Sequence, residues 1–353
     1  MAAASGSESP AQAPTEGPAV TGRTLGTSLI KLVRSFLTLR EGSIIVVTII
    51  TIVYFSTNAH GFATTSNLKT LLPYFAPLAI LAAGEVFVMI NGEIDLSIGA
   101  VYLLSPFIFY KLFHAGVPLI PAVILSLVCS GVVGSINGFF VAVVGISSFV
   151  TTLGMLFTLD GVTLIISHTA PVSTPGTSAL HVNTFAKVFG GGTYSELIWA
   201  LAIVGILQAV LTFSRWGVYT VAVGGNRLGA AEAGIRVRLV LIRNFILCAT
   251  CAGLVGILEA VRTVTATPDP SGSNEILFQA IASAVIGGTL LLGGSGTVIG
   301  ALIGALFLGV LHDGLIIKGV SADYLDLYLG LAILIAMTVN VYVQRVRTGS
   351  GLG

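Results

Sequence analysis

The sequence predicts an all-α polytopic membrane protein with about ten transmembrane helices and both termini in the cytoplasm. Of its 353 residues, 55% are hydrophobic and only 9% are charged, whereas a water-facing globular surface needs about 25%. The apolar runs are unbroken over helix-spanning lengths rather than alternating at period two, which points to helices instead of a barrel. The basic residues gather in clusters that a ten-span map places on one side of the membrane. A net charge of +1 indicates no nucleic-acid partner.

Residues 1–24 are rich in Ala, Ser, Pro and Gly, have almost no bulky apolar side chain, and are expected to form a disordered tail. The first apolar span starts only near Ser43, too late for a secretory signal, so this end is expected to be retained. Residues 25–40 place Leu25, Leu29, Leu32, Val33 and Phe36 at helical spacing among Lys31, Arg34 and Arg40, the pattern of an interfacial amphipathic helix. A transmembrane domain follows over 41–343. Its expected spans are 43–57, 70–90, 97–113, 118–143, 148–167, 195–213, 240–261, 276–291, 297–315 and 324–343, with a C-terminal tail over 344–353. On this map Arg23, Lys31, Arg34, Arg40, Arg215, Arg227, Arg236, Arg238, Arg243, Arg345 and Arg347 share one side, and Lys69, Lys111, Lys187, Arg262 and Lys318 the other. The richer side is the cytoplasmic one. Residues 168–194 become the longest external loop, and 214–239 a basic cytoplasmic one.

Cys129, Cys248 and Cys251 lie within apolar runs and imply no disulfide framework. The five histidines have no pair at metal-ligand spacing, and no metal site is expected. Among polar residues in or beside spans, Asn91, Asn137, Ser147, Ser148, Thr151, Thr152 and Gln279 could line a solute path or hydrogen-bond a neighbouring helix. Glu85, Glu93 and Asp95 suggest a polar, protein-lined position. Asp95 and Ser97 either cap the third span or take part in gating. Gly134 and Gly138, and Gly296, Gly300 and Gly304, recur every four residues, a packing stripe that lets membrane helices touch backbone to backbone. Four matched positions between 92–100 and 293–301 hint at a duplicated half. Glu259 and Arg262 are three residues apart and expected to pair.

The cytoplasmic loop contains Gly224, Gly225, Asn226, Arg227, Leu228, Gly229, Ala230, Ala231, Glu232, Ala233, Gly234 and Ile235. Its centre can form a short amphipathic helix closed by Gly234, able to press into a partner's groove, or it can be an ordinary connection. This stretch resembles the cytoplasmic loop of permease subunits from bacterial ABC importers of the ribose, galactose, xylose and arabinose class. Gly92-Glu93-Ile94-Asp95-Leu96-Ser97-Ile98-Gly99 is similar to the Gly-Gly-Ile-Asp-Leu-Ser-Val-Gly signature of that family. The run from Gln279 through Ile286-Gly287-Gly288-Thr289 to Gly293-Gly294-Ser295-Gly296-Thr297 is similar to its second glycine-rich signature. The likeness extends over about 68–343, and departs at Glu93, where relatives usually carry Gly, and at Asp160, where many carry Arg.

The resemblance implies a permease in a bacterial cytoplasmic membrane, translocating a monosaccharide or small polyol. It implies a separate ATPase docking on the loop, a periplasmic or lipid-anchored sugar-binding protein, and a second copy of the chain or a similar permease. The chain has no Gly-x-x-x-x-Gly-Lys-Ser/Thr, so ATP and Mg²⁺ are expected on the partner ATPase and no cofactor in the chain itself. Two other classes compete. An ion-coupled secondary transporter would need intramembrane charges near the midplane, whereas these acids cluster toward one end. A rhomboid-like protease would need Ser295 beside His312, but seventeen helical residues separate them by about 25 Å.

Overall fold

The computed structural model describes residues 41–175 and 183–348, all within one unit spanning Arg40–Gly353. The expected tail at 1–24, the interfacial helix at 25–40 and the end of the C-terminal tail lie outside the described residues. Thirteen helices are present among the described residues: α1 (Gly42–Asn58), α2 (Thr65–Ile90), α3 (Ile98–His114), α4 (Leu119–Phe139), α5 (Ser148–Ser167), α6 (Asn183–Val188), α7 (Ser195–Phe213), α8 (Arg215–Gly225), α9 (Arg227–Glu232), α10 (Val237–Thr263), α11 (Pro270–Ile286), α12 (Val298–Ile317) and α13 (Ala322–Thr348). A π-helical turn over Phe140–Val144 extends α4, and β1 (Val172–Ser173) pairs antiparallel with β2 (Thr265–Ala266). Six helices are long and apolar enough to cross a membrane, and α1 and α3 are shorter apolar helices. The chain is a multi-pass membrane protein.

Local chemistry sets the ends of these helices. Thr64 accepts a hydrogen bond from Asn67 N at the start of α2, and Thr297 from Gly300 N at the start of α12. Asp269 caps α11 by accepting from Ser271 N, with Pro270 in the first turn. That start displaces the eighth helix from the expected 276–291 to Pro270–Ile286. Gly287 and Gly288 end it, and residues 287–297 are a turn rather than membrane helix.

The bundle is built around α2 and α10. In the most apolar 18-residue window, 89% of α2 and 72% of α10 are buried, against 28% for α4, α5 and α7. These three outer helices expose Ile124, Val128, Phe149, Phe157, Ile165, Ile198 and Ile206, an apolar surface suited to lipid or partner helices. α10 packs on α4, α3 and α2, while α12 packs on α2, α11 and α1. Small residues permit these contacts. A Cβ at Gly134 would lie 2.4 Å from Phe245 O, one at Gly138 2.6 Å from Ile242 Cα, and one at Gly304 2.1 Å from Ser283 O. Gly300 comes equally close to Gly287 O, and a Cβ at Gly296 would lie 2.7 Å from Ile90 Cγ1.

The β1–β2 pairing ties the segment after α5 to the end of α10, reinforced by Thr174 N donating to Val264 O at 3.0 Å. Neither this two-residue ribbon nor α6 was expected from the sequence, where β1 and α6 fell within the 168–194 loop and β2 between the seventh and eighth spans.

Candidate functional site

The α2–α3 turn, residues 91–97, has few backbone partners of its own, so side chains from other elements satisfy it. Asp95 N donates to Glu85 Oε1 at 2.9 Å, Leu96 N to Thr152 Oγ1 at 3.0 Å, and Ile94 N to Ser148 Oγ at 3.3 Å. Asp95 Oδ1 accepts from Ser97 N at 2.9 Å, from Ser97 Oγ at 2.6 Å and from Asn137 Nδ2 at 3.4 Å. Asn137 Nδ2 also donates to Ser97 Oγ at 2.8 Å. The Cys248 thiol donates to Glu85 Oε2 at 3.1 Å. Five of the residues considered for a solute path or for gating, Asn91, Asp95, Ser97, Asn137 and Thr152, are therefore buried in the frame of this turn. Ser148 belongs to the same frame, Ser147 is exposed, Thr151 is half-buried, and Gln279 faces an outer cavity.

The 214–239 loop is seated on this turn. Ser214 caps α8, accepting from Gly217 N at 3.2 Å, and Asn226 caps α9, accepting from Gly229 N at 2.9 Å. Gly234 follows α9 with φ +82°, a left-handed conformation that favours glycine and turns the chain back toward α10. Arg227 donates from Nη2 to Asn91 O at 2.8 Å and pairs with Glu93 Oε1. Asn91 Nδ2 donates to Thr220 O at 2.8 Å. A Cβ at Gly224 would lie 1.8 Å from Ile90 O, so α8 meets the end of α2 with no side chain between them.

Asn244 of α10 is the node beneath the loop. Its Nδ2 donates to Asn91 Oδ1 at 2.6 Å and makes longer contacts, 3.2 Å each, with Phe87 O and Thr220 Oγ1. Its Oδ1 accepts from Trp216 Nε1 at 2.6 Å. The Arg243 guanidinium stands 5.0 Å from the centre of the Trp216 ring. The second glycine-rich segment closes the assembly. Gly294 N donates to Ile90 O at 2.7 Å, and a Cβ at Gly293 would lie 2.7 Å from Gly92 N. The two turns compared as a repeat in the sequence thus lie against each other.

Within the loop, Ala230 is buried, Ala231 and Ala233 are exposed, Gly225 has open space where a side chain would begin, and Ile235 is half-buried. Leu228 is 78% exposed, and Leu292 in the adjoining turn is 95% exposed. Three segments far apart in sequence therefore form one hydrogen-bonded body with apolar side chains projecting from it. Such a body can carry a push on α9 into α2, α3 and α10. Sequence reasoning missed Asn244 and the Arg227–Asn91 bond. A lone carboxamide in an apolar span was the available signal, because it needs a buried partner.

Residues 67–337 match the family model described as branched-chain amino acid transport system / permease component. The chain is 33% identical over 329 residues to a xylose/arabinose import permease protein of Sulfolobus acidocaldarius, covering 90% of this chain and 88% of that one. It is 32% identical over 303 residues to the ribose import permease protein of Escherichia coli K12, covering 86% and 94%. It is 33% identical over 307 residues to a D-allose transport system permease protein of the same strain, covering 87% and 93%. No solved structure matches the chain. With most of its length matched by the family model and by these relatives, the chain belongs to the branched-chain amino acid transport system / permease component family.

Proposed function

We propose that the chain is the membrane-spanning permease subunit of an ATP-driven importer that moves a monosaccharide or similar small polyol. Relatives named as xylose/arabinose, ribose and D-allose permeases support the substrate class. The observation that carries the mechanism is the seating of the cytoplasmic loop on the α2–α3 turn through Arg227, Asn91 and Glu93. A separate ATPase, holding ATP and Mg²⁺, docks on α9 and on Leu228. Closure of the ATPase displaces α9, and the buried frame passes that displacement to the helices around the path. A sugar-binding protein delivers the solute to the opposite face, and a second permease copy, or a similar chain, completes the passage. ATP and the loaded binding protein drive the cycle through their different affinities for its two states.

In this reading the chain crosses the membrane ten times with both termini in the cytoplasm. A helix on each expected span, six of them long and apolar enough to cross a membrane, and the basic 214–239 loop support that count. Co-expression with the neighbouring ATPase and binding-protein genes tests the reading. The purified complex should contain the ATPase, and sugar-loaded binding protein should raise its turnover. A permease that takes up sugar without any ATPase would overturn it.

A further inference from the structure

Away from the inner hub, a cavity of about 420 Å³ opens between α2, α3, α10 and α11, roofed by the segment that follows β2. It is displaced from the α9 loop along the bundle: its residues come from the middle of α2, the first half of α11 and the end of α10, with Tyr102, Leu103 and Pro106 of α3 one to two turns beyond the hub, whereas the hub joins the end of α2 to the start of α10. We propose that this cavity is a low-affinity acceptor subsite in the permease itself, for one neutral polyhydroxylated ring released by the binding protein. The assignment rests on the sugar-import reading given above and adds the residues that receive the solute.

Size is the first argument. Small-molecule sites occupy roughly 300–1,000 Å³, and this cavity is near the lower end, room for a single sugar ring with water rather than an oligosaccharide.

The second argument is the lining. Tyr102 of α3 contributes a ring, and its hydroxyl bonds no other described residue. Tyr74 of α2 contributes a second ring, held by stacking on His312 at 4.0 Å and by a 2.6 Å contact between its hydroxyl and His312 Nε2. Gln279 Nε2 donates to Glu275 Oε1 at 2.8 Å, leaving its own Oε1 free to accept from a hydroxyl. Across from them Glu259 and Arg262 form a two-bond pair, and Glu196 Oε1, buried behind, lies 3.4 Å from Arg262. Aromatic faces beside planar carboxylate and carboxamide groups match the alternating C–H faces and hydroxyl edges of a sugar.

The third argument is charge. Arg262 is the one basic residue in the lining, and its guanidinium is already paired with Glu259. No unpaired cation is left there to hold the charge of a sugar phosphate or a sugar acid, whereas a neutral polyol needs only the hydrogen bonds.

The test uses the whole importer, with its ATPase and binding protein, in proteoliposomes. Uptake of labelled D-xylose, L-arabinose, D-ribose and D-allose and ATP hydrolysis are measured together, giving sugar moved per ATP. Unmodified protein must move at least one of the four in an ATP-dependent manner; failure there removes the sugar-import reading and the subsite with it. With that established, Tyr102→Phe and Gln279→Leu should each lower sugar moved per ATP by roughly three- to tenfold, the loss of one hydrogen bond, while ATPase stimulation persists. Gln279→Glu should lower it as well, because it replaces the amide that donates to Glu275 with a second acid. An unchanged ratio in all three variants, or uptake and hydrolysis falling in parallel, would overturn the subsite while leaving the importer reading intact.

Discussion

Arg227 holds the 214–239 loop with one charged group, and its environment determines what its loss should do. Its side chain is 46% exposed and that of Glu93 10%, so the pair contributes about 1 kcal/mol or less to stability. Arg227→Gln and Glu93→Gln should therefore leave the melting temperature nearly unchanged and instead lower transport several-fold relative to ATP hydrolysis. The reversed pair, Glu93→Arg with Arg227→Glu, should recover part of that loss; equal transport in all these variants would show that the bond carries no motion. Asn244 is the opposite case. It is fully buried, and Asn244→Leu would strand the Trp216 indole N–H and Asn91 Oδ1, at about 1–3 kcal/mol for each unsatisfied group. Thermal unfolding of the purified permease should shift down by several degrees, and a shift within error would count against the node. Glu93 was legible in the sequence as a charge beside a membrane span, but its partner lies 134 residues away, and no local pattern announces a pairing at that separation.

Bilayer thickness is why the elements were legible. A helix stands on each of the ten expected spans, and six helices have the length and apolar content that a 30 Å core, crossed by roughly 20 residues, requires. The shift of α11 to Pro270 has a local cause: Asp269 and Pro270 begin a helix in residues too polar to register in an apolar-run count. The β1–β2 pair is too short for a period-two signal, and its strands lie more than 90 residues apart. Glycine spacing indicated that helices approach closely without indicating which, because each stripe is matched only in three dimensions. Gly224 is the sharpest position for a test, with Ile90 O filling the space of a side chain. Gly224→Val should insert into the membrane yet lift α8 off α2 and reduce copurification of the ATPase at least several-fold. Gly225→Ala, beside open space, should not. Identical behaviour of the two would contradict close contact at the α8–α2 junction.

At the scale of the whole molecule, the two proposed regions lie at different levels along the same helices. The hub joins the end of α2 to the start of α10, the face proposed to meet the ATPase, and the cavity lies farther along the same helices, beside the middle of α2 and the end of α10. α2 and α10, the most enclosed helices of the bundle, connect the two. Composition made the membrane setting legible, and the three glycine-rich segments could be read individually. Their convergence could not, because contact among segments near 92, 224 and 293 is a property of the fold.

The central claim is that α9 faces the cytoplasm and bears the ATPase. Leu228→Cys in a Cys129→Ser background tests it most directly, since Leu228 is exposed on α9 and Cys129 is the one exposed cysteine. A membrane-impermeant thiol reagent should leave residue 228 unlabelled in intact cells and label it in inside-out vesicles stripped of the ATPase, and adding the ATPase back should block that labelling. Labelling in intact cells, or vesicles labelled equally with and without the ATPase, would contradict the account.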